Sequence, residues 1–76
     1  MGAPWPMTDN EKLLFEAFRL AIEREREAQD DYGKLAELTP DPDIRGLFLR
    51  FQAEEAKHEQ GLLRAYRDFK DRFIPK

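Results

Sequence analysis

Apolar and aromatic residues return every three or four positions through two long stretches of the chain, the period of one helix face. The first line reads Leu14, Phe18, Ala21, Glu25, Ala28, Tyr32, Leu35. The second reads Ile44, Phe48, Phe51, Glu55, His58, Leu62, Ala65, Phe69. Between them "LTPDPDI" sets Pro40 and Pro42 where a helix cannot run on. Both flanks are rich in Glu, Arg, Leu, Ala and Lys, which favour helix. Thr8 with Glu11 makes a capping box, and Asp41 followed by Pro42 and Asp43 is a second helix start. The pattern predicts helices over about 9–38 and 42–72 in one all-α domain of 8–76, preceded by an irregular arm at 1–7. A connection this short makes the helices an antiparallel hairpin.

Three ionisable residues interrupt these seams. With the turn centred near Pro40, residues whose numbers sum to about 80 lie level across the pair. Tyr32 then faces Phe48, Phe18 faces Leu62, and Glu25 faces Glu55, with His58 one turn along from Glu55. An unpaired buried carboxylate costs several kcal/mol, and neither seam holds a Lys or Arg to offset two of them. A divalent cation relieves both charges and also uses the imidazole nitrogen. In a helix rich in Glu, a Glu-x-x-His spacing by itself arises often by chance. The seam register and the level match with Glu25 are what make Glu25, Glu55 and His58 candidate metal ligands. One hairpin holds half of such a site. Two copies packed seam to seam would form a four-helix bundle enclosing four Glu and two His, the ligand set of di-iron carboxylate proteins.

Composition agrees with that need for support. Seventy-six residues bury little surface alone, and the absence of cysteine removes disulfides, thiolate metal sites and thiol catalysis. Metal and self-association remain, and the lack of Cys fits a reducing cytoplasm. A net charge of −3 without a basic block argues against nucleic acid as a partner. No apolar run approaches the roughly 20 residues that span a bilayer, and "MGAPWPM" does not read as a signal peptide.

"EREAQDDY" (Glu25 to Tyr32) resembles the first ligand helix of ferritin-like proteins, and "EAKH" (Glu55 to His58) resembles the second. "DPDIRGLF" is similar to the turn and helix start of rubrerythrin-like domains. The single-hairpin length resembles the encapsulated ferritins. The resemblance implies a ferroxidase in which Glu25, Glu55 and His58 of two chains hold two irons across a dimer interface. Manganese suits the same oxygen and nitrogen donors. It further implies residence in an encapsulin-type shell, although the family's apolar docking tail has no counterpart in "DFKDRFIPK". Two other functions fit the same residues: a rubrerythrin-like peroxide-reducing protein, and a dimerisation module without chemistry whose polar core residues set register.

Tyr32, two turns from Glu25, is a candidate electron donor or partner of a ligand as well as a core aromatic. Glu54 and Glu59 read as solvated or as supports of the ligands, and Gln29 and Asp30 as surface. Leu13, Ala17 and Leu20 flank one side of the first seam, and Phe15 and Ile22 flank the other. An apolar arc that wide, with Trp5 available to extend it, predicts a homodimer and beyond it a ring of dimers. Gly61, one turn after His58, would permit a close approach of helices, while the pattern assigns no role to Gly33 or Gly46.

Overall fold

The structure, a computed structural model, describes residues 8–73. The arm at 1–7, with Trp5, lies outside them. α1 spans Asp9–Leu38 and α2 spans Pro42–Phe73, and the two pack as an antiparallel hairpin. Thr8 caps α1 reciprocally: its hydroxyl accepts from Glu11 N at 3.2 Å while its own N–H donates to the Glu11 carboxylate at 2.7 Å. Asp41 caps α2, with Oδ1 accepting from Asp43 N at 2.9 Å. Both starts therefore lie where local hydrogen-bonding chemistry sets them.

The end of α1 is closed from outside its own sequence. Its last turn has no basic residue, and Thr39 turns extended before Pro40. Arg45 of α2 reaches back to donate from Nε to the Ala36 carbonyl at 3.2 Å and from Nη2 to the Thr39 carbonyl at 2.9 Å. A cation thus sits on the free carbonyls at the negative end of the helix dipole.

Two aromatic groups hold the hairpin, one toward each end. Phe15 and Phe18 meet Tyr66 and Phe69, with Phe15 and Phe69 centroids 4.7 Å apart. Near the turn, Tyr32 stacks on Phe48 at 6.3 Å and lies 5.4 Å from Phe51. The predicted level match of Tyr32 with Phe48 is therefore present.

Which flank of each seam is covered could not be read from periodicity. α2 lies over the flank carrying Phe15, Ile22, Gln29 and Ala36, and among the described residues Ile22 and Ala36 are the buried hydrophobics. Phe15 and Ile22 are thus used within the hairpin and are not spare surface for further association. The opposite flank stays open: Leu14, Leu35, Ile44 and Leu47 are each 40–49% exposed, and Leu13 is 67% exposed. The molecule is a rod, 56 × 19 × 14 Å, with a radius of gyration of 17.1 Å. A compact chain of this length would have about 11 Å.

The glycines separate into two kinds. A Cβ at Gly33 would lie 2.7 Å from Gln52 Nε2, whereas one at Gly46 or Gly61 meets nothing within 4 Å. The hairpin itself makes no close approach at Gly61. Gly46→Ala is expected to raise stability by about 1 kcal/mol, the full helix-propensity gain. Gly33→Ala gains less, because the new methyl displaces the Gln52 amide. Urea denaturation of the two variants side by side checks the difference.

Candidate metal centre

Glu25 comes from the middle of α1, and Glu55 and His58 from adjacent turns of α2. The structure brings all three together. One ligand atom from each lies within 4.8 Å of the other two. His58 Nδ1 is 3.6 Å from Glu25 Oε2 and 3.6 Å from Glu55 Oε2. Both separations are too long for a hydrogen bond. They fall between the spacings of neighbouring and opposite ligands on one ion, about 3.0 and 4.2 Å for bonds of about 2.1 Å.

The carboxylates are mostly covered, at 21% exposure for Glu25 and 23% for Glu55. His58 differs from the core position its seam predicts: its side chain is 61% exposed. The hairpin covers only one side of the seam, and His58 stands on the uncovered side.

Glu25 Oε2 is buried and accepts no hydrogen bond. The neighbouring Glu55 carboxylate, which can share a proton with it, raises the Glu25 pKa above its ordinary value. Burial adds to the rise, and His58 opposes it. No arginine or lysine is ion-paired to either carboxylate among the described residues; both ion-pair contacts are with His58. A buried acceptor without a donor, beside a second carboxylate and an imidazole, is a donor set that fits a hard or borderline divalent cation.

Tyr32 lies on the turn side of this group, among Phe48 and Phe51. Among the described hydrogen bonds, none joins it to the three ligands.

Periodicity misplaced Gln29, and of the two readings open for Glu59 the solvated one does not hold. Gln29, read as surface, is half-buried between the helices, and Glu59 is 18% exposed. Arg26 Nε donates to Glu59 Oε2 at 2.8 Å, and Gln29 Nε2 donates to Glu59 Oε1 at 2.7 Å. Arg26, then Gln29, hold the Glu59 carboxyl below its ordinary range. Glu59 therefore keeps its charge and its own donors, while Glu25 Oε2 has no hydrogen-bond donor. Gln29 and Glu59 sum to 88, about 12 Å off the level line, and lie off both seams, so only the reach of two long side chains, which the sequence pattern does not show, brings them together.

Comparison with known proteins finds no matching family model, curated protein or solved structure. Residue geometry alone carries the functional reading. Among the described residues no helix is long and apolar enough to cross a membrane.

Proposed function

We propose that this chain is an iron-binding ferroxidase of ferritin-like type, working as a homodimer whose two trios of Glu25, Glu55 and His58 face one another. The observation that carries the reading is the buried, donor-less Glu25 Oε2 held against Glu55 and His58. The substrate is Fe(II): two ions give up one electron each, and dioxygen takes both electrons with two protons and leaves as hydrogen peroxide. Glu25 and Glu55 supply anionic oxygens that favour the ferric product. His58 supplies a neutral nitrogen and no sulfur is present, which suits iron or manganese.

The second copy is supported by the open face. Leu14, Ala17, Ala21, Ala28 and Leu35 of α1 and Ile44, Leu47, Phe51, His58 and Ala65 of α2 follow one another at helical spacing along it. The turns between those positions carry Glu25 and Glu55 beside His58, with the exposed Arg24 and Glu54 at their edges. Toward the chain ends the face is a shallow apolar groove of about 270 Å³ lined by Leu14, Ala17, Phe18, Ala21 and Leu62. Toward the turn it carries the larger Leu35, Ile44, Leu47 and Phe51. A two-fold axis through the ligands, perpendicular to the helices, sets the turn end of each copy, with Leu35 and Phe51, on the grooved end of the other, with Ala17 and Ala21. Any ring of dimers would use Leu13 and Leu20, which lie beyond this face.

Anaerobic protein mixed with Fe(II) and then exposed to air is expected to develop near-ultraviolet ferric absorbance faster than buffer does. Native mass should move from one chain toward two on adding Fe(II) and return on chelation, because two acidic half-sites repel without a cation. Protein that neither binds iron or manganese stoichiometrically nor speeds the oxidation is a dimerisation module without chemistry.

A further inference from the structure

Contacts between α1 and α2 change character along the hairpin. Ring meets ring toward both ends, while hydrogen bonds between the helices lie beside the ligands and, through Arg45, at the turn. Apolar contact is non-directional and holds neither the axial position nor the rotation of one helix on another. Directional bonds do both.

Glu59 lies one turn beyond Glu55 and takes one donor from α1 on each oxygen, Arg26 Nε on Oε2 and Gln29 Nε2 on Oε1. Gln29 lies one turn beyond Glu25, and the same Nε2 also contacts the Glu25 backbone carbonyl at 3.3 Å. One turn before Glu55, Gln52 Nε2 donates to the Gln29 carbonyl at 3.0 Å. Glu55 is thus bracketed by two residues of α2, both tied to the residue that follows Glu25 by one turn.

We propose that Glu59 is a positioning residue: by receiving Arg26 and Gln29 together it locks the register of α1 on α2 that makes the Glu25 and Glu55 carboxylates converge. A slip of one residue moves a ligand by about 1.5 Å along the axis and turns it by about 100°. Binding geometry tolerates about 0.5 Å. Glu59 is not itself a ligand, since both of its oxygens are occupied and Arg26 offsets its charge. This role rests on the metal-binding reading of the trio.

The test compares wild type with Glu59→Leu, which removes both acceptors but keeps side-chain bulk and helix propensity, and with Glu59→Gln, which keeps one acceptor. Co(II) titration followed by visible absorbance should show a 10- to 100-fold weaker affinity for Glu59→Leu, the usual scale for a group that orients a metal ligand. Glu59→Gln should lose less, and thermal stability of Glu59→Leu should stay near wild type. In chelated protein, the Tyr32–Phe48 ring contacts read by NMR should give one set of signals in wild type and more than one in Glu59→Leu. Equal Co(II) affinity, or a single unchanged set of ring signals, overturns the proposal. Wild type that binds no Co(II) overturns the metal reading instead, while the ring signals still decide whether Glu59 locks the register.

Discussion

Glu55→Ala, Glu25→Ala and His58→Ala proteins are expected to oxidise Fe(II) no faster than buffer, and each to bind Co(II) at least about 100-fold more weakly than wild type. Removing a group that merely orients a ligand costs 10- to 100-fold, so losing a ligand costs more. In a two-fold dimer each substitution also removes two of six ligands. Stability of the metal-free protein moves the other way for the acids. Glu55→Leu relieves Glu25 of its nearest like charge and puts an apolar side chain on an otherwise largely apolar seam, so the chelated protein is expected to be more stable than wild type. A purely structural residue would lower stability when replaced. Ferric absorbance, Co(II) titration and urea melts of one set of variants read all three effects.

The pH dependence follows from the same pair. Glu25 binds its proton more tightly folded than unfolded, since its pKa is raised by Glu55 and by burial. Its contribution to the stability of metal-free protein is fully present below the unfolded value of 4.5 and is lost as pH rises through the raised folded value. A bound metal would have to displace that proton, so Co(II) affinity is expected to climb over the same window. Glu59 has the opposite sign: its pKa is lowered by Arg26 and Gln29, and its contribution disappears as pH falls through the lowered value. In Glu55→Leu the first cause of the Glu25 shift is gone, and the loss of stability with rising pH should shrink with it.

The second large effect concerns the partner copy. A protein carrying both Leu14→Cys and Leu35→Cys is expected to form covalent dimers on mild oxidation, and neither single variant to do so. Leu14 lies eleven residues before Glu25 and Leu35 ten after it. An axis through the ligands therefore brings Leu14 of one copy level with Leu35 of the other. Within one chain the two sit about 32 Å apart along α1, far beyond the roughly 7 Å that a disulfide spans. Any bond between them must join two chains. Non-reducing gels of the three variants, with and without Fe(II), give the answer. Cross-linking by either single variant would mean that the copies pack in the same direction, and absence of all cross-linking at full metal loading would remove the two-fold site.

Much of this was legible along the chain because the deciding interactions are local. Thr8 and Glu11 are three residues apart, Asp41 caps its own next turn, and Pro40 ends α1 through the backbone of its neighbour. The convergence of Glu25, Glu55 and His58 needed only the helical rise and a short turn. Periodicity leaves helix rotation open, however. An apolar arc as wide as that of α1 could press either flank on α2, and only the packed structure decides that Phe15 and Ile22 go inward while Leu14 and Leu35 remain outside. That rotation puts His58 on the rim, draws Gln29 and Glu59 between the helices, and lets Arg45 close the end of α1. Each of these pairs residues distant in the chain. Their meeting depends on the relative angle of two rods, which the order of residues along either rod does not contain.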